Sequence, residues 1–159
     1  MALHKLLVDD FNDDTYALIA IHCRVEDFRM AYLINKQLGV NLVRRPKDLD
    51  LNYTSSNYAL FDWYDEPNDE DWYLVANVCK KEEESLSSTG MLFSDDLKVT
   101  KTYNLVPEMS QVDYFLKISN DRCQVNTKLI GDKLQQIPQV ITNYNVELSK
   151  VKSKEHLIF

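Results

Sequence analysis

Hydrophobic and polar positions alternate most regularly over residues 97–119. Leu97, Val99, Tyr103 and Leu105 alternate with Lys98, Thr100, Thr102 and Asn104, and Val112, Tyr114, Leu116 and Ile118 alternate with Asp113, Lys117 and Ser119. A period of two marks strands with one buried face. The five residues between the runs, 107–111, have hairpin length, and Pro107, which has no N–H to donate, stops the first run. The pattern predicts an antiparallel hairpin of 97–105 with 112–118, with Tyr103, Leu105, Tyr114 and Leu116 facing the core.

Other stretches are read the same way. Residues 3–8 predict a first strand, followed by an acidic turn over 9–14. Residues 16–23, YALIAIHC, are almost wholly apolar, as in a strand that is central or covered on both faces. Residues 26–38 predict a helix with acids at its N-terminal end, an apolar face including Phe28, Ala31, Tyr32 and Leu38, and Gly39 as its stop. Residues 42–45 read as a brief strand interrupted by Pro46, and residues 57–64 and 72–80 as two further strands. Residues 80–89, charged and then serine-rich, read as a mobile connection, with 90–93 leading into the hairpin. Val125 and Ile130 bracket Asn126 as a hydrophobic staple brackets an N-cap. Ile130, Leu134, Ile137, Ile141 and Tyr144 then recur on one helical stripe, which predicts a helix kinked at Pro138. The apolar end, His156 to Phe159, is either packed on the core or open to a partner. The sum is one α+β domain over 1–159: a mostly antiparallel sheet of about six strands with two helices on one face.

Composition narrows the function classes. The net charge of −7 disfavours nucleic acid as a general partner, since phosphate binding needs clustered Lys and Arg. Arg44, Arg45 and Lys47 form the one dense basic run, and a ribosome- or RNA-associated role would rest on them. No signal peptide or membrane-spanning helix is read, so no membrane partner is expected. Cys23, Cys79 and Cys123 are widely spaced, and Cys23 and Cys79 sit in apolar runs, which predicts buried reduced thiols and a cytoplasmic location.

Candidate chemistry is sparse. Five acids occupy residues 65–71, but without the alternate spacing, central Gly or terminal Glu of a calcium loop, so a solvated hairpin loop is expected. His22 reads as a core or strand-end histidine, and Asn35 sits near the helix's apolar face. No phosphate-loop, zinc-protease or nucleophile-elbow pattern occurs, no catalytic residue, metal ligand or cofactor is assigned, and the question of enzymatic activity stays open.

Val106-Pro107-Glu108, three residues, then Val112-Asp113-Tyr114 resembles the signature of the IPExxxVDY family, small bacterial proteins found mainly in the Bacteroidota, with Val106 in place of Ile. Residues 16–40 and 151–159 also resemble family segments. The resemblance implies no activity. The motif residues Pro107, Glu108, Val112, Asp113 and Tyr114 are the candidate interaction site. On the structural reading Glu108 accepts loop N–H groups and Asp113 pairs with a neighbouring Lys or Arg; on the functional reading the two carboxylates clamp a cation or substrate. The leading expectation is a cytoplasmic adaptor for an unknown, basic protein partner, with the acidic loops and apolar C-terminus as contact surfaces. The alternative is a small-ligand protein or enzyme with its site at the hairpin.

Overall fold

The computed structural model describes residues 16–51, 55–84, 98–120 and 124–159. The expected strand at 3–8, the acidic turn at 9–14, the segment 90–93 and Cys123 lie outside these residues. The elements are β1 (Tyr16–Cys23), α1 (Asp27–Leu38), β2 (Val43–Arg44), β3 (Leu49–Leu51), β4 (Ser56–Tyr58), β5 (Leu60–Asp65), β6 (Glu70–Ala76), β7 (Val78–Glu84), β8 (Lys98–Asn104), β9 (Tyr114–Asn120), α2 (Thr127–Gln135) and β10 (Val140–Asn145). Six strands form one sheet in the order β10-β1-β9-β6-β5-β2, and every pairing is antiparallel. β3–β4 and β7–β8 are separate two-stranded ladders. The fold is α+β, as the sequence predicts.

The sheet is buried on both faces, and the strand alternation sorts its side chains between them. Ile19, Ile21 and Cys23 of β1, Trp72 and Leu74 of β6, and Leu116 and Ile118 of β9 face the two helices, which contribute Met30, Ala31, Ile34 and Leu134. Leu18, Ala20, Val75 and Phe115 face the other way, beneath Leu105, Val106, Val112, Tyr58 and the C-terminal residues Val146, Val151 and Leu157. Both helices therefore lie on one face, and turns and the C-terminal segment cover the other. The apolar C-terminus packs on the core: Leu157 is buried, although Ile158 stays exposed.

α1 begins after the extended Glu26, carries Asp27 in its first turn and ends at Gly39, whose φ of 72° is left-handed and whose N–H donates to the Asn35 carbonyl. Its buried stripe is Met30, Ala31 and Ile34, with Leu33 and Leu38 packed alongside. Phe28 and Tyr32, expected on that face, lie outside the stripe and are 63% and 62% exposed. Asn126 caps α2 by accepting the Leu129 N–H.

The expected central hairpin does not form. β8 pairs with β7, whereas β9 lies in the main sheet between β1 and β6. Tyr114 to Ile118 are consecutively buried because β9 is covered on both faces, while Val99 on the β7–β8 ribbon is 46% exposed. Tyr103, expected in the core, is half-buried, and its hydroxyl donates to Glu83. Residues 80–84, expected in a mobile connection, belong to β7. The helix expected to kink at Pro138 ends at Gln135, and the chain continues as β10, leaving Ile141 61% exposed. Proline excludes helical backbone from the residue before it and clashes with the preceding turn. Within the helix the stripe ends at Leu134, and Ile137, Ile141 and Tyr144 share its spacing without sharing its helix.

Candidate functional site

The motif forms the turn by which the chain leaves the β7–β8 ribbon and enters the main sheet. Leu105 and Val106 are fully buried and tie the turn down on the helix-free face. Pro107 opens a single 3-10 turn over Pro107–Met109, where its fixed φ suits the first position and its missing N–H is not needed. The Met109 N–H donates to the Val106 carbonyl at 3.0 Å and the Val112 N–H to the Met109 carbonyl at 3.0 Å.

A residue outside the motif holds this turn. Asn77 separates β6 from β7, at the point where the ribbon splits from the sheet, and has no exposed surface. Its side-chain amide donates to the carbonyls of Met109 (2.9 Å) and Val112 (2.8 Å), and its oxygen accepts the Val106 N–H (2.8 Å). Its backbone N–H donates to the Asp113 carbonyl, and its carbonyl accepts the Leu105 N–H. The signal in the sequence was slight: a lone Asn inside an apolar strand-like run, where a buried amide must find partners.

Each polar motif residue reaches a different part of the chain. Glu108 Oε1 accepts the backbone N–H groups of Lys152 (2.6 Å) and Ser153 (2.9 Å), and its Oε2 accepts the Ser153 hydroxyl (3.0 Å). The expected acceptor role holds, but for N–H groups of the C-terminal segment. Desolvation pushes the Glu108 carboxyl upward; the hydrogen bonds from Ser153, its own N–H and Lys152 outweigh it and hold the group below the ordinary carboxylate range. Asp113 Oδ2 accepts the Cys23 N–H at 2.9 Å, at the end of β1, where a Lys or Arg partner was expected. Tyr114 is buried, its hydroxyl donates to the Val25 carbonyl at 2.7 Å, and burial raises its pKa. Val112 is buried and Pro107 is exposed. The motif thus fastens the C-terminal segment, the β1–α1 junction and the ribbon fork to one turn.

The remaining candidates also have structural partners. Asn35 brackets Leu42, donating to its carbonyl and accepting its N–H. Arg44 is held by Asp27 and Asp48, and Arg45 by Asp62 with its guanidinium 5.6 Å from the Tyr73 ring, so both arginines of the basic run are matched by acids. His22 lies at the end of β1, 5.6 Å from the Tyr144 ring. Cys23 is buried, Cys79 is half-buried, and both are free thiols. Burial pushes the Cys23 thiol up, against any nucleophilic role. Among the described residues no group of three His, Cys, Asp or Glu side chains converges as a metal site would, and no helix is long and apolar enough to cross a membrane.

Lys117 was not anticipated as a buried group. It lies in β9 on the helix-free face, 8% exposed, with its ammonium 4.6 Å from the Tyr16 ring, 4.8 Å from Phe159 and 5.7 Å from Tyr73. Its Nζ donates to the Leu157 carbonyl at 2.7 Å. The π faces and the carbonyl acceptor compensate this buried ammonium in part, and the remaining desolvation lowers its pKa. Together with Glu108 it holds down the C-terminal segment.

Residues 65–71 form the end of the β5–β6 hairpin, as expected for the acidic loop. Asp65 pairs with Glu70 across a turn in which Asp69 takes a positive φ of 55°. Tyr64 donates to Asp69 and Asn68 to Asp65, while Glu70 accepts the Trp72 indole N–H and the Asn120 amide. Glu66, Pro67, Asn68 and Asp71 are exposed, and Tyr64 beside them is 52% exposed.

Comparison of the chain with family models, with curated proteins and with solved structures found no match.

Proposed function

We propose that the chain is a non-catalytic, cytoplasmic protein-interaction module of the IPExxxVDY type that binds a basic protein partner. The observation that carries this reading is the β5–β6 hairpin end, where five carboxylates fall in seven residues, Glu66 and Asp71 exposed among them, beside an exposed tyrosine. Such an end produces a local negative potential that steers a basic surface toward it. A ligand or catalytic site at the motif would need Glu108 and Asp113 to meet a substrate, and both accept hydrogen bonds from the chain's own backbone. The free thiols of Cys23 and Cys79 support a reducing compartment.

The test compares capture from native lysate by wild type and by the triple variant Asp65→Asn, Glu66→Gln, Asp71→Asn. The proposal expects a basic protein retained by wild type at low salt and lost by the variant. Equal capture by both, with the variant folded, would overturn it.

A further inference from the structure

Residues 147–159, which follow β10, lie on the body without joining its ladders. The Val146 N–H donates to the Leu18 carbonyl, the last such bond between the two. Beyond it, the backbone–backbone hydrogen bonds among the described residues close within the segment: Lys150 to Glu147, Val151 to Leu148 and His156 to Ser153. They form two single 3-10 turns, Leu148–Lys150 and Lys154–Leu157.

Side chains make the attachment. Glu108 accepts the Lys152 and Ser153 N–H groups and the Ser153 hydroxyl. Lys117 donates to the Leu157 carbonyl. His156 Nδ1 lies 2.6 Å from the Leu105 carbonyl, a contact in which the ring nitrogen must donate. Apolar contacts complete the attachment. Val151 and Leu157 are buried, and the Phe159 ring meets Tyr73 edge-on at 5.2 Å. Lifting the segment would therefore break side-chain bonds and apolar contacts but leave every strand pairing intact. Parts of a fold held in this way open at lower free energy than the strands of its sheet. Lifting would also return the Lys117 ammonium to water. Burial beneath the segment lowers that group's pKa, so its rehydration offsets part of the cost of baring apolar surface.

We propose that residues 147–159 form a releasable strap, which swings out past Val146 as one unit while the six-stranded sheet and both helices stay folded, with Glu108 of the motif turn as its main catch. Glu108 makes three bonds to the strap from one carboxylate, where Lys117 makes one. With the strap lifted, Leu18, Val75 and Phe115 lose part of their cover on the helix-free face. The motif turn then decides whether that apolar face is shut or open. The strap is independent of the acidic hairpin end.

Thiol labelling of the full chain tests this. Val151→Cys places a thiol on the buried side of the strap, while Cys23, buried on the helix face, reports opening of the body in the same molecule. The thiol at 151 should be labelled roughly ten-fold faster than Cys23 or more, at a rate that low urea leaves unchanged, and Glu108→Ala should raise that rate roughly ten-fold. Equal rates at 151 and Cys23 would overturn the proposal, because the strap would then open only with the whole fold. A rate at 151 indifferent to Glu108→Ala would overturn it too, because Glu108 would not be the catch. If Val151→Cys fails to fold, hydrogen exchange of the unsubstituted chain makes the same comparison. The Val151 and His156 amides, bonded inside the strap, should exchange faster and with weaker urea dependence than the Leu116 amide of β9. The same rate and urea dependence at all three would overturn the proposal.

Discussion

Asn77 is the residue on which most of the motif turn depends. Its side chain satisfies one backbone N–H and two carbonyls from a site with no exposed surface. Asn77→Ala leaves the Val106 N–H and the Val112 carbonyl without partners and the Met109 carbonyl with the Val112 N–H alone; each buried orphan costs about 1–3 kcal/mol, so we expect a loss of about 2 kcal/mol or more in urea unfolding. Asn77→Asp should be worse, because a carboxylate would face two carbonyl oxygens; an aspartate variant as stable as wild type would contradict this geometry. Glu108 has a smaller, pH-dependent role. Glu108→Ala should cost about 1–2 kcal/mol near neutral pH, as loss of a capping side chain does, and Glu108→Gln less, since one oxygen still accepts both N–H groups. The folded-state pKa of Glu108 is lowered. Its contribution is therefore complete above the ordinary carboxylate value and is lost as pH falls through the lowered native value. Urea titrations of wild type and Glu108→Ala should converge in acid, and a constant difference would show that the carboxylate charge is not what Glu108 supplies.

At the scale of elements, β1, α1, the β5–β6 hairpin and the α2 cap were legible because local rules decide them: a continuous apolar run, a glycine stop, an acidic turn and an Asn cap. Strand pairing was not. β8 and β9 are adjacent in sequence and of similar alternation, but β9 is buried on both faces and its neighbours β1 and β6 are distant in the chain. Alternation reports a face and carries no information on the partner. β10 was hidden by a coincidence of spacing across Pro138, which proline chemistry should have outranked. Among the site residues, Glu108 and Asp113 were found by their motif, whereas Asn77 and Lys117 acquire their roles only when distant segments meet. Lys117 yields a prediction for the C-terminal segment. Burial lowers its pKa, against a smaller opposing effect of Asp71. In the window between the lowered native value and the ordinary lysine value, the unfolded chain binds the proton more readily, so stability rises with pH there. Lys117→Met removes both the desolvated charge and the bond to the Leu157 carbonyl, and should stay within about 2 kcal/mol of wild type. Wild type should gain on the variant as pH rises through that window; a difference flat in pH would mean that the ammonium is not desolvated in the folded protein.

In the whole molecule the sheet separates two layers, helices on one side and turns with the C-terminal segment on the other, and the motif turn locks the second layer. The proposed interaction surface, the acidic hairpin end, lies at the periphery of this arrangement. Partner binding through the hairpin end should weaken between low and physiological salt, where the screening length is about 8 Å; an affinity indifferent to salt would refute the electrostatic part. The central claim, that the motif builds the fold and does not bind the ligand, is tested most directly by measuring stability and partner binding together in Glu108→Ala and Asp113→Ala. The account predicts that both variants unfold at lower urea than wild type and, while folded, bind the partner with unchanged affinity. Variants that unfold like wild type yet have lost binding would contradict it and make the turn itself the functional site.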